Sequence, residues 1–272
     1  MDKRIGLIAG SGSFPVIFSK KAADRGFSVY AIGYHNETDL VLSDYVESLE
    51  IIHIGQIKRL IRFFKKNRIK EAVMIGAIKK PGAILEIRPD MKAISLIANM
   101  RHSTHDDKIL RAFAKVLEDE GFRIRSSTFL LPELLAEKGC WTKRKPTKME
   151  RADIDVGWKI AKEIGRLDIG QCVVVCNGSV MAVEAIDGTD STIRRGGEFC
   201  KGKAVVVKVC KPIQDFRFDV PAVGAQTVRS MHEAGATVLV VETGRSLIFD
   251  KKEMISLANQ WGITIMAMEK EA

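Results

Sequence analysis

Lys211-Pro212-Ile213-Gln214-Asp215-Phe216-Arg217-Phe218-Asp219-Val220-Pro221-Ala222-Val223-Gly224-Ala225-Gln226-Thr227 gathers side chains suited to phosphate chemistry into one short stretch. Lys211 and Arg217 offer positive charge, and Asp215 and Asp219 offer carboxylates for a metal or a water. The alternation from Gln214 to Val220 predicts an extended segment with Asp215, Arg217 and Asp219 on one face. Phe216, Phe218 and Val220 would then point into the core. At about 3.3 Å per residue the two carboxylates stand roughly 13 Å apart, so they cannot clamp one metal together. Asp215 is expected to pair with Arg217, leaving Asp219 at the strand end. Pro221 and Gly224 turn the chain into a helix from Gln226 to Ala234, whose first amides favour an anion. A carboxylate beside such a helix start suggests a metal-assisted phosphate site. An ordinary strand–turn–helix with surface charges would carry the same pattern.

Other candidates are scattered along the chain. Gly10-Ser11-Gly12 closes a first strand and opens a helix, which suits close approach of phosphate to backbone amides. The spacing is not GxGxxG, because position 15 is proline, and no acidic residue ends the second strand. A dinucleotide oxidoreductase is therefore poorly matched, and a purely geometric glycine turn is the other reading. Asp106 could cap a helix and Asp107 complement its dipole. Asp187-Gly188-Thr189-Asp190 is an acidic, hydroxyl-bearing turn. Glu184, inside an apolar strand, must face a cleft or meet a cation. His102 and His105 lack a third ligand and are read as surface residues.

The elements that must position these groups alternate. Strands are expected at residues 4–9, 28–33, 48–54 and 72–75, with helices between them and another at 106–120. That succession indicates a parallel, Rossmann-like sheet. The helix at 56–67 carries Ile57, Leu60, Ile61 and Phe64 on one face among several cations, with Phe63 outside the stripe. It could rest on anionic lipid, but a crossover helix packed on its sheet is preferred. Gly139 to Lys148, rich in Lys and Arg, looks like an exposed linker. Beyond it come helix 149–164, a hairpin across Asn177-Gly178, strand 204–209, helix 226–234, strand 237–241, helix 251–261 and strand 264–267. The expected fold class is α/β, a Rossmann-like parallel-sheet domain joined by a linker to an α/β domain with a mixed sheet. The boundaries are residues 1–130, a linker at 131–150, and a catalytic domain at 151–272. A cleft between domains is the default ligand site.

Composition narrows the partners. The 43 Lys+Arg against 34 Asp+Glu give a net charge of +9, which favours anionic partners. With three Trp and three Tyr, base-stacking platforms are poorly supplied, so nucleic acid is not expected. The five cysteines show neither a disulfide framework nor metal-binding spacing. No apolar run reaches 18 residues, and the N-terminal apolar stretch is too short for a signal peptide, so the chain reads as cytoplasmic.

LIAGSGSFP (7–15), GAIKKP (76–81), HDDKILRAF (105–113), EIGRLDIGQ (163–171), VEAIDGTD (183–190) and KPIQDFRFDVPAVGAQT (211–227) together resemble the LpxI-type UDP-2,3-diacylglucosamine pyrophosphatase family of lipid A biosynthesis. The resemblance runs nearly the full length. It implies two domains with substrate held between them, and hydrolysis of UDP-2,3-diacylglucosamine to UMP and 2,3-diacylglucosamine 1-phosphate. It further implies Mg²⁺ or another divalent cation and a peripheral association with the inner face of the inner membrane, and it leaves a homodimer open. Carried over by position, Asp219 is the catalytic and metal-binding residue, with Gln214, Arg217 and Thr227 beside it in catalysis. Gly10, Ser11, Gly12, Gly76, Lys79, Asp106, Asp107, Thr189 and Lys211 are the expected substrate contacts. Ala222 departs from the hydroxyl residue expected there. The alternative in another class is a nucleotide or nucleotide-sugar binding protein without catalysis.

Overall fold

In a computed structural model of the chain, residues 3–78, 88–98, 106–200 and 202–270 are described. They form two compact units. The first comprises Met1–Pro132 with Asp215–Asp219, and the second Glu133–Gln214 with Val220–Ala272. The chain thus leaves the second unit for five residues and returns to it.

In the first unit, β1 (Arg4–Ala9), β2 (Ser28–Tyr34), β3 (Ser48–Ile52), β4 (Glu71–Ile75) and β5 (Arg123–Ile124) form a parallel sheet in the order β3-β2-β1-β4-β5. The runs in β1, β2 and β4 are apolar on both faces, as a strand covered on both sides must be. Helices α1 (Phe14–Asp24), α2 (Ile57–Lys66), α3 (Met91–Ala98) and α4 (Asp106–Asp119) supply the cover, with a 3₁₀ turn at Leu40–Tyr45. The apolar face of α2 is spent in the core, which confirms the crossover role. Phe63, expected outside the stripe, is buried as well. The reason is that α2 also meets α3, an element that local patterning does not announce, so its buried arc is wider than one stripe.

The second unit contains a mixed six-stranded sheet ordered β6-β13-β11-β9-β7-β8. Its strands are β6 (Gly139–Cys140), β7 (Cys172–Cys176), β8 (Ser179–Val183), β9 (Ala204–Lys208), β11 (Ala236–Glu242) and β13 (Thr264–Met268). β9, β11 and β13 run parallel, whereas β6 and β7 pair antiparallel with their neighbours. A small parallel pair joins β10 (Ala222–Val223) to β12 (Leu247–Ile248). The helices are α5 (Lys148–Arg166), α6 (Gly188–Cys200), α7 (Ala225–Glu233) and α8 (Lys251–Gln260). A Thr147–Glu150 capping box starts α5.

The 139–148 stretch is more than a bare connection. Cys140 pairs with Met266 in the sheet, and Arg144 binds Glu150 at 2.6 Å. Helix α6 stands where the sequence suggested only a turn. Its paired glycines weaken helical propensity, but a Cβ on Gly196 would meet Val174 at 2.6 Å, so packing against the sheet requires the small residue.

The loop after β1 is equally tight: a Cβ on Gly10 would lie 2.4 Å from the Ala77 carbonyl oxygen. Gly10→Ala should destabilise the chain by about 1–3 kcal/mol, the usual cost of overpacking. Urea unfolding checks this, and an unchanged midpoint would show that the loop can yield.

Candidate functional site

In the first unit the strand order reverses between β1 and β4, because β2 and β3 lie to one side of β1 and β4 to the other. Open α/β sheets bind ligands beyond the carboxyl ends of strands at such a reversal. Gly10, Ser11 and Gly12 follow β1 there, and Gly76 follows β4. The two loops are laced together. Ser11 N donates to Ala77 O at 2.7 Å, Ala77 N to Ser11 O at 3.2 Å, and Gly10 N to Ile75 O at 2.8 Å. The Ser11 hydroxyl also donates to Ala77 O, at 2.8 Å. Both donors expected for phosphate on Ser11 are therefore engaged within the protein. Gly12 and Gly76 have positive φ, +94° and +98°, the left-handed region that suits glycine. Lys79, with His102 and His105, lies outside the described residues. Asp106 and Asp107 open α4 as expected, though their side chains are also outside the described set.

The 214–220 segment is not extended. Phe218 N and Asp219 N both donate to Asp215 O, at 3.1 and 3.3 Å, so the chain makes a compact turn from Asp215 to Asp219. The predicted alternation of faces does not apply, because all of Asp215, Phe216, Arg217 and Phe218 are partly buried. The expected pairing does occur. Arg217 Nη2 meets Asp215 Oδ2 at 2.8 Å, and its Nε meets Oδ1 at 3.0 Å. Arg217 Nη1 reaches Glu118 at 2.7 Å, and Arg111 approaches Asp215 at 3.2 Å. Two carboxylates thus hold the guanidinium that was expected to serve catalysis. The Phe216 carbonyl accepts from Ser127 N at 3.2 Å and from the Ser126 hydroxyl at 3.0 Å, which ties the turn to the first unit. Asp219, last in the turn, is exposed.

In the second unit Lys211 Nζ contacts Asp168 at 2.7 Å, a partner that no sequence pattern announced. The backbone amide of Lys211 donates to Gln214 Oε1 at 3.1 Å, so this glutamine closes its own loop. Behind them Glu242 accepts from Lys162 Nζ at 2.7 Å and from Cys210 N at 2.9 Å, fixing the exit from β9. Thr227 is buried in the first turn of α7, and its hydroxyl oxygen faces Gly224 N at 3.4 Å. The Thr189 hydroxyl donates to Glu184 at 2.6 Å and accepts from Lys208 Nζ at 2.8 Å. Glu184 therefore finds a cation indirectly, through a threonine. The sequence clue to Lys208 was available: a lysine closing an otherwise apolar strand, AVVVK.

Among the described residues no three of His, Cys, Asp and Glu converge as a metal cage. A Mg²⁺ site needs fewer protein ligands than such a cage, commonly one or two carboxylates with substrate phosphates and water. Asp219 is an exposed carboxylate at the end of the turn. No helix of the described residues is long and apolar enough to cross a membrane.

Comparison with known proteins gives a consistent result. The family model described as the LpxI N-terminal domain matches residues 4–134, and that of the LpxI C-terminal domain matches residues 137–266. UDP-2,3-diacylglucosamine pyrophosphatase LpxI of Caulobacter vibrioides is 31% identical over 281 residues, covering 99% of each chain. Solved structures resemble this one only slightly. CobK precorrin-6A reductase covers 99% of this chain and 89% of that one at 11% identity, with a TM-score of 0.33. The biotin carboxylase domain of Hydrogenobacter thermophilus 2-oxoglutarate carboxylase covers 65% of this chain at 12% identity and a TM-score of 0.27, and the chain spans 35% of that structure. Likenesses this slight carry no argument.

Burial would raise the Asp215 pKa, but hydrogen bonds from Arg217 and the charges of Arg217 and Arg111 outweigh it and hold the carboxyl below its ordinary value. A depressed carboxyl pKa stabilises the fold above the unfolded value, about 3.9, and the contribution is lost as pH falls through the folded value. Arg217→Met should therefore destabilise the chain by about 1–3 kcal/mol at neutral pH. The gap from wild type should narrow below about pH 4. Urea unfolding at both pH values measures it, and a gap independent of pH would remove the Asp215 pairing as its source.

Proposed function

We propose that this chain, which belongs to the LpxI family, hydrolyses the pyrophosphate bond of UDP-2,3-diacylglucosamine to UMP and 2,3-diacylglucosamine 1-phosphate. The observation that carries the reading is the full-length match to a pyrophosphatase of that name, spanning both units. Water adds across one phosphorus–oxygen bond of the diphosphate, and the bridging oxygen leaves with the other phosphoryl group. Negative charge grows on that oxygen as the bond breaks, so catalysis consists of placing positive charge and donors where it develops.

Asp219 is the residue assigned to a divalent cation, preferably Mg²⁺, with the substrate's own phosphate oxygens completing its shell. When bound, that ion supplies charge neutralisation on the diphosphate. Asp219 also has the exposure to orient a water, and its amide closes the compact turn on the Asp215 carbonyl. Arg217 acts by holding that turn, through Asp215 and Glu118, more than by meeting substrate. Gln214 holds the adjacent loop through Lys211 N. Thr227 lies buried where the first turn of α7 offers amides. In the first unit, Gly12 and Gly76 keep backbone close to the strand-order reversal, where phosphate binding is favoured.

The net charge of +9 suits work in the cytoplasm at an anionic membrane surface, with the protein bound peripherally. The substrate is amphiphilic and must be drawn from such a surface.

Purified protein incubated with UDP-2,3-diacylglucosamine should release UMP only when divalent cation is present. Asp219→Ala should lower the rate by about 10²–10³-fold, the range seen when a main electrostatic contributor is removed. Circular dichroism should show the variant folded. A folded wild-type protein that binds the substrate but yields no UMP would leave a nucleotide-sugar binding protein instead.

A further inference from the structure

Lys208 closes β9 and is only 7% exposed. Its Nζ donates to Thr189 Oγ1 and to the Ala222 carbonyl, both at 2.8 Å. Thr189 is the second residue of α6, and Ala222 lies in β10, two residues before Gly224, the residue that caps the start of α7. The ammonium therefore joins the first turn of α6 to the β10 backbone that leads into α7. Glu184, 7% exposed, is reached through the Thr189 hydroxyl at 2.6 Å, and its other oxygen accepts from Gln171 N at 3.0 Å.

This cluster is electrostatically incomplete. An ammonium has three N–H bonds, and two of those on Lys208 have acceptors among the described residues. No carboxylate of the described residues comes within ion-pair distance of Nζ. Helix N-termini carry partial positive charge and oppose a neighbouring cation, and burying an ammonium without a direct counter-ion is costly. A neutral side chain of similar length could fill the same space without that cost. The helix amides point the same way. Asp187, ahead of α6, spends its carboxylate on Ala185 N at 3.1 Å and Arg195 at 2.9 Å. Gly224, ahead of α7, has no side chain to offer. No side chain of the described residues accepts from the amides of Thr189, Asp190, Ala225 or Gln226. A phosphate oxygen would satisfy the third N–H beside the start of α6. Asp190, in the first turn of α6, opposes an anion, so binding must hang on the Lys208 charge.

We infer that Lys208 is a direct ligand of the substrate's diphosphate oxygens, positioned by Thr189 and, through it, by Glu184. The inference rests on the pyrophosphatase reading for the identity of the anion. It also changes the part played by Thr189, whose one hydroxyl proton is committed to Glu184 and whose task is to aim the lysine.

Calorimetric titration of the full chain with inorganic pyrophosphate, without added metal, tests this independently of turnover. Lys208→Met should weaken pyrophosphate binding at least tenfold. Thr189→Val, which keeps the charge but loses its guide, should weaken it less, and Thr189→Ser should restore wild-type affinity. Equal binding by Lys208→Met and wild type, or no binding by wild type, overturns the inference. Should circular dichroism show Lys208→Met unfolded, a crystal structure of the wild-type protein with pyrophosphate decides. An anion oxygen within about 3.2 Å of Nζ supports the contact, and pyrophosphate bound elsewhere refutes it. UMP release is read on the same wild-type preparation. Pyrophosphate bound at Lys208 with no UMP released would sink the hydrolase reading while leaving the anion contact intact.

Discussion

Parallel strands share one direction, so once they pair, their carboxyl ends must gather along one edge of the sheet and each return must be made by a crossover. In the first unit this places the loops after β1 and β4 side by side and forces Gly10 against Ala77. In the second, β8 and β9 flank β7 and run in the same direction, because both pair antiparallel with it. The ends of β8 and β9 therefore lie at the same edge, which brings Glu184, just past β8, near Lys208, the last residue of β9. The start of α6 follows β8 by four residues, and so Thr189 falls between the two charges. The chemistry available at each edge follows from the pairing, before any side chain is considered.

Buried charge then fixes those edges. Three networks secure the exit from β9 and the segment beyond it: Lys162 with Glu242, Lys208 with Thr189 and Glu184, and Arg217 with Asp215 and Glu118. The first and third are direct ion pairs built on the largely buried carboxylates of Glu242 and Asp215. The second lacks a direct pair, and that is where an incoming anion has something to complete. The contrast separates charges that hold structure from a charge held ready. It also explains why cations prominent in the sequence, Lys211 and Arg217, are committed to Asp168 and Asp215, while an inconspicuous one at a strand end is placed for binding.

Much of the architecture was legible in the sequence. Apolar runs of strand length separated by helical stripes located β1 to β4, α1, α2 and the last helices within a residue or two, because burial on both faces leaves a direct trace in composition. The turn of the Asn177-Gly178 hairpin was located too, but its second strand, expected over 180–186, ends at Val183. The pairing of Asp215 with Arg217 was legible too, since groups two residues apart meet in several backbone conformations. The family was legible from motifs along the whole chain, and Asp219 was singled out by its place between a cationic segment and a helix start.

Tertiary structure decided what local patterns could not. The 214–220 segment alternates like a strand, yet it pairs with no strand among the described residues and instead closes a turn on the Asp215 carbonyl, docked to Ser126 and Ser127. Helix α6 contains a glycine pair that local propensity would reject, and packing against Val174 accepts it. Phe63, expected outside the apolar stripe of α2, is buried with it, because tertiary packing covers a wider arc of the helix than one stripe. Lys208 and Glu184 are 24 residues apart in sequence, and no spacing rule joins them. Sequence by itself determined which segments are apolar and which side chains are present, because burial leaves its mark residue by residue. Only the tertiary structure decided which charges meet, because that depends on strand pairing between distant segments.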